Sequence, residues 1–367
     1  MKYLVEYLPR INCVGVHIDE VKAVILEGMT PKELIIRYHS DVLSDRMDMI
    51  IKLPKVIDVN QNRGVTFVKG AENNWSLRLK VDPTQPSNMQ GSLDLDDISN
   101  TTLNKWNREF LNCLDTFSFR CGHCEAPILD NRVNCKVLHD MPSDNWMELM
   151  DYWHCSKPDP HNIKEGTFAS MSASRYSSLK PLVNEVLISG SYLSIIYETI
   201  TERVIEQKDK TLVCYNCANI LGEKTSDGLC RLYKWKLQLF NMITEKIDTY
   251  DAKNDIILTI VNYTKNYSGR YINLKCKGHK DIMLWIFALD IGVTLSNSVV
   301  YSEAIKVLYI TDESHFAIVR KNHNVEDFNV KELPFEEFLT ELKENHQHLP
   351  KSAKTFNSWQ ISYLPLV

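Results

Sequence analysis

Four cysteines arrive in two pairs of identical spacing. Cys121 and Cys124 sit in SFRCGHCEAP, and Cys214 and Cys217 sit in LVCYNCANIL. Each pair follows a short apolar, strand-like run, Phe117 to Phe119 in one case and Leu212 with Val213 in the other, and each is followed by a turn. A tight turn at a strand end aims two sulfurs at one point. Two such knuckles supply four thiolates, the donor set of a tetrahedral structural Zn²⁺. A single Cys-x-x-Cys also fits a redox pair, and reduced cysteines bury readily in cores, so both readings stand beside the metal. Cys124 and Cys214 are 90 positions apart, so a shared metal would staple two distant parts of one fold.

His154, Cys155 and His161 follow in YWHCSKPDPH and are alternate ligands. His154 and Cys155 are adjacent, so on a strand they point to opposite faces and at most one of them reaches a given metal. Cys230 stands apart from both knuckles, at the exit of the loop TSDGLCRLYKW. With Gly228, Leu229 and Arg231 it is a candidate partner-facing thiol. A buried strand cysteine is the plain alternative.

The elements that position these groups are mostly strands. Residues 1–81 carry YLVEYLP, VKAVILE, LIIRYH, DMIIKLP, GVTFVKG and WSLRLKV, separated by Gly28, Pro31, Pro54, Asn62 and Gly70. Such runs read as half-buried antiparallel strands. Thr30 to Glu33 is a candidate helical turn. Residues 82–100, rich in Pro, Ser and acid, read as a linker. Residues 101–367 then form one metal-stabilised domain. Within it Ser143 starts a helix through Trp146, Leu149, Met150 and Trp153. LISGSYLSII gives two strands around Gly190, and RLYKWKLQL alternates as one strand. DIILTIVNYT, IMLWIFALDIGVTLS, AIKVLYITD and HFAIVRKN read as further strands. PFEEFLTELKENHQHLP is an amphipathic helix with Phe335, Phe338, Leu339 and Leu342 on one side. The tail FNSWQISYLPLV is apolar enough to dock. The fold class is α+β, a β-rich N-terminal part and a mixed α/β C-terminal part.

The chain has 367 residues, 44% hydrophobic and 24% charged, as an ordinary globular protein does. A net charge of −5 without a basic patch does not favour direct nucleic-acid binding. No run approaches 18 apolar residues, and MKYLVEYLPRINC lacks a signal peptide's apolar core. Ten cysteines in that context point to a reducing compartment, cytosol or nucleus. There is no phosphate loop, G-x-G-x-x-G, H-E-x-x-H or G-x-S-x-G.

The CGHC knuckle, PSDNWMELMDYWHC, VCYNCANILG, RLYKW and LWIFALDIGVTLS with AIKVLYI resemble, in order and wording, the HECT-like ubiquitin-conjugating-enzyme-binding family and its fungal members most closely. The resemblance implies ubiquitin-ligase activity on a charged conjugating enzyme. It also implies a regulatory partnership with the metallo-β-lactamase endonuclease subunit of the pre-mRNA cleavage and polyadenylation machinery, in nucleus and cytoplasm. Two roles for Cys230 follow. It accepts ubiquitin as a thioester, or it enters the partner nuclease and ligates its zinc.

Overall fold

The computed structural model describes residues 1–40, 46–70, 73–82, 102–141 and 181–366. Strands dominate it, as the β-branched and aromatic runs require. The chain divides into two compact units, 1–103 with 256–367, and 104–255. The split does not follow a cut at residues 82–100 alone. Strand Lys2–Leu8 pairs with Cys13–Asp19 on one edge and with the second half of Ile282–Leu295 on the other, so N- and C-terminal segments share one sheet.

That sheet has ten strands. Its path runs from Thr355–Phe356 through Trp359–Pro365, Val300–Ile310, Ile282–Leu295, Lys2–Leu8, Cys13–Asp19 and Trp75–Lys80 to Val68–Lys69. The 14-residue strand Ile282–Leu295 serves two neighbours along one edge. Its first half pairs with Tyr271–Lys275 and its second with Lys2–Leu8. Register shifts between Ile286 and Val293 re-aim the strand between them. A three-stranded sheet, Val21–Met29, Glu33–Ser40 and Arg46–Lys52, packs through Val24, Leu34, Ile36 and Ile51 onto Val14, Val16 and Leu79. The 30–33 segment is a hairpin turn, Thr30 N–H donating to the Glu33 carbonyl, and not a helical one.

Two expected strands are helices. DIILTIVNYT lies in the helix Lys253–Tyr267, and HFAIVRKN lies in Glu313–Asn322. Ile256, Ile257, Ile260 and Val261 recur at helical spacing and are all buried. Their shared burial overrides the strand preference of the β-branched run. In the second helix the Asp312 carboxylate accepts from the Ser314 N–H, capping a segment that buries Phe316 and Val319. The helix Glu332–Gln347 forms where amphipathicity places it, with Phe335, Phe338 and Leu342 inside. Trp359–Pro365 docks the tail against Val300–Ile310.

The unit 104–255 holds two sheets around one core. The seven-stranded sheet runs Val137–Asp140, Glu185–Ile188, Tyr192–Ile196, Leu229–Tyr233, Ile220–Lys224, Thr211–Cys214, Val204–Glu206. The four-stranded sheet runs Lys246–Thr249, Leu237–Asn241, Phe117–Cys121, Pro127–Asp130. Trp106, Phe117, Phe119, Leu193, Leu212 and Leu239 fill the space they share. RLYKWKLQL is two strands, one in each sheet, joined by the 3₁₀ turn Lys234–Lys236. The turn exists because the chain changes sheets there. The expected helix from Ser143, the loop that follows it and most of the 82–100 linker lie outside the described residues.

Candidate metal centre

Each cysteine pair begins at the last residue of a strand, Cys121 in Phe117–Cys121 and Cys214 in Thr211–Cys214. The two turns repeat one hydrogen-bond pattern. The Cys121 N–H donates to the Ala126 carbonyl at 2.8 Å, and the Glu125 N–H donates back to the Cys121 carbonyl at 2.9 Å. In the second turn the Cys214 N–H donates to Asn219 and the Ala218 N–H to Cys214, both at 2.9 Å. Glu125 and Ala218 hold matching left-handed conformations, φ 59° and 57°. The residue after each first cysteine is tied to a neighbouring segment, Gly122 N–H to Lys236 and Tyr215 N–H to Arg203. A Cβ at Gly122 would stand 3.0 Å from the Lys236 carbonyl oxygen, so this close approach favours glycine.

The two turns meet. Cys121 Sγ lies 3.7 Å from Cys217 Sγ, and Cys124 Sγ lies 3.7 Å from Cys214 Sγ. All four sulfurs fall within 4.8 Å of one another. A disulfide needs about 2.05 Å, so neither pair is one. Thiolates bound at about 2.3 Å around a tetrahedral ion are separated by roughly 3.8 Å. The four thiols are therefore close enough to hold a metal ion, with Cys121 and Cys214 buried and Cys124 and Cys217 partly exposed.

The local electrostatics divide the four. Burial pushes the Cys124 thiol up, but hydrogen bonds from Asn216, the Ala126 backbone and its thiol neighbours outweigh it and hold Cys124 at about 6. At Cys217 the Asn219 backbone favours the thiolate. Burial and sharing with Cys124, Cys121 and Cys214 override it and push Cys217 up to about 12. Burial leads the rise at Cys214. Four thiolates packed together repel, and a bound dication relieves that repulsion. His154, Cys155 and His161 lie outside the described residues.

The structure corrects the reading of Cys230 as a presented thiol. Its residue is fully buried, in the middle of a sheet, paired with Ile195 and Lys224 on either side. Burial pushes its thiol up to about 12. Leu229 is buried too, and only Gly228, at φ 86°, belongs to the turn; Arg231 is half-buried with its guanidinium over the Tyr192 ring. The glycine marks the turn, and the strand starts one residue earlier than a presented cysteine needs.

Sequence reasoning missed a second feature, in the other unit. A surface cleft of about 460 Å³ is lined by Tyr271, Trp285, Phe356, Trp359, His323 and Ile318 among others. Trp285 meets Phe356 and Trp359 edge-on, with ring centroids 6.1 and 5.8 Å away, and Tyr271 stacks on His323 at 4.1 Å. Phe356 is 49% exposed and Ile318 60%. The aromatic residues come from strands and loops far apart in sequence, so no local motif announces them.

The model of the HECT-like ubiquitin-conjugating enzyme (E2)-binding family matches residues 6–361. An uncharacterized protein of Saccharomyces cerevisiae is 31% identical over 368 residues, 100% of each chain. An E3 ubiquitin-protein ligase of Homo sapiens is 22% identical over 300 residues, 68% of this chain and 72% of the human protein. An uncharacterized protein of Schizosaccharomyces pombe is 23% identical over 259 residues, 68% of this chain and 72% of its own. No solved structure matches. No helix among the described residues is long and apolar enough to cross a membrane.

Proposed function

Because this chain belongs to the HECT-like ubiquitin-conjugating enzyme (E2)-binding family, we propose that it docks a ubiquitin-charged conjugating enzyme and promotes transfer by positioning the donor, without carrying ubiquitin on Cys230. The family match over nearly the whole chain carries this reading, and the ligase named among its relatives supports it. A thioester-forming ligase needs an accessible, activated thiolate. Cys230 is neither exposed nor activated. Cys124 has a depressed pKa but belongs to the four-cysteine cluster.

The cluster is assigned to one structural Zn²⁺, held by Cys121, Cys124, Cys214 and Cys217. With all four positions taken by protein, the ion supplies folding energy and no open coordination site. The docking surface is assigned to the aromatic cleft in the other unit. Clefts lined by Trp, Tyr and Phe are where a few residues carry most of a binding energy. Truncating the exposed Phe356 to Ala is expected to weaken the conjugating enzyme at least ten-fold.

The test is a thioester trap. The chain is mixed with charged conjugating enzyme and run on non-reducing and reducing gels beside Cys230→Ser. The expected result is a stable complex, accelerated discharge and no reducible ubiquitin adduct on the chain. A reducible adduct overturns the positioning mechanism, and one lost in Cys230→Ser restores the thioester reading. No complex with any conjugating enzyme overturns the docking.

A second role, as regulatory partner of the metallo-β-lactamase endonuclease subunit of 3′-end processing in nucleus and cytoplasm, rests on the motif resemblance. The net charge of −5 favours a protein partner over the RNA itself. A stoichiometric complex with that subunit on gel filtration is expected, and its absence removes the role.

A further inference from the structure

The sequence KCKGHK begins at the last residue of the strand Tyr271–Lys275 and carries the imidazole of His279. The chain turns sharply there. Gly278 holds φ 86°, and the His279 N–H donates to the Cys276 carbonyl at 3.1 Å. The turn faces the start of the helix Glu332–Gln347. His279 Nε2 lies 3.8 Å from a Glu332 carboxylate oxygen and 3.9 Å from a Glu336 one. Glu332 and Glu336 are one helical turn apart and share a face.

We propose that His279, Glu332 and Glu336 form a second metal site in this chain, which takes a divalent transition-metal ion such as Zn²⁺. The three nitrogen and oxygen donors fall within 4.8 Å of one another, and the two His279–carboxylate distances are ion-pair distances too long for a hydrogen bond. Around an ion with bonds of about 2.1 Å they would stand roughly 3.0 to 3.4 Å apart. The two His279–Glu separations exceed this by roughly half to one ångström, within reach of two exposed glutamate side chains, 74% and 53% accessible.

One further observation points the same way. The His279 ring is braced against Phe335, 5.3 Å between centroids, on the same helix as the two carboxylates. The ion would pin the turn after the Tyr271–Lys275 strand to the start of the 332–347 helix.

The experiment is a titration of the metal-stripped full chain with Co²⁺ alone, followed by calorimetry and absorbance. Two equivalents are expected, one of them giving the strong thiolate charge-transfer bands of a four-cysteine site. His279→Ala, half-buried, and Glu336→Gln, exposed, are each expected to lose one equivalent and leave those bands intact. Two equivalents retained in His279→Ala overturn the site, as does a single equivalent in the wild type that His279→Ala leaves in place. A single equivalent that His279→Ala removes counts against the four-cysteine cluster instead.

Discussion

Removing metal from the 104–255 unit is expected to cost much of its stability. A metal held by the cluster would tie Cys121 to Cys217 and Cys124 to Cys214, and the second tie would close a loop of 90 positions. A cross-link over such a loop restricts the unfolded chain by about 4–5 kcal/mol. An ordinary domain has only about 5–15 kcal/mol in total. For a unit of this size each kcal/mol moves Tm by roughly 2–4 °C. Chelation is therefore expected to lower the melting transition of this unit by about 10–20 °C, and Cys217→Ser to reproduce most of that shift with no further response to chelator. Differential scanning calorimetry with chelator, then with Zn²⁺ restored, reads the effect. A shift below about 3 °C, with unchanged behaviour in Cys217→Ser, would mean that the four thiols are reduced core residues and that packing alone holds the two sheets.

Three other substitutions probe the scaffold. Glu6 is buried, and its carboxylate accepts from Lys306 Nζ at 2.8 Å and Tyr363 OH at 2.6 Å; Glu6→Ala strands the Lys306 ammonium and should cost about 3–5 kcal/mol in chemical denaturation, whereas Glu6→Gln should cost less. Gly222→Ala would drive a Cβ to 1.8 Å from the Arg231 carbonyl oxygen in the adjacent strand, so loss of about 3 kcal/mol or more is expected by the overpacking route, and a neutral result refutes the close approach. Lys234 is fully buried, its ammonium donating to the Lys105 carbonyl at 2.6 Å, and burial pulls its pKa down to about 7. An unfolded lysine titrates near about 10.4. Between these values the unfolded chain binds the extra proton, so stability rises with pH across that window. The penalty is complete below about pH 7, so Lys234→Met should raise Tm most there and least near about pH 10; a pH-independent difference contradicts the burial argument.

The four-cysteine cluster was legible because its signal is local. Each Cys-x-x-Cys ends a β-branched or aromatic run and precedes a turn, and nothing beyond those residues is needed to build a knuckle. That the two knuckles meet is a property of the fold, and only their matching chemistry hinted at it. Cys230 shows the opposite case. Gly228 announced a turn correctly, but burial depends on the strands at either side, Tyr192–Ile196 and Ile220–Lys224, which are distant or ambiguous in sequence. The helix Lys253–Tyr267 was hidden by a β-branched composition that its packing tolerates. The strand Cys13–Asp19 was missed because Gly15 and His17 interrupt an apolar run that lies in mid-sheet. The aromatic cleft and the His279 site combine residues from segments that only the ten-stranded sheet and its helices bring together.

The central claim is donor positioning without a covalent relay. It is tested most directly by single-turnover discharge of a charged conjugating enzyme to free lysine, in the presence of the intact zinc-loaded chain and of its Phe356→Ala variant. The account predicts faster discharge with the wild-type chain, no ubiquitin adduct on the chain at any time point, and loss of the acceleration in Phe356→Ala. An adduct that forms and decays at the rate of product formation, or a discharge rate unchanged by the wild-type chain, would contradict it.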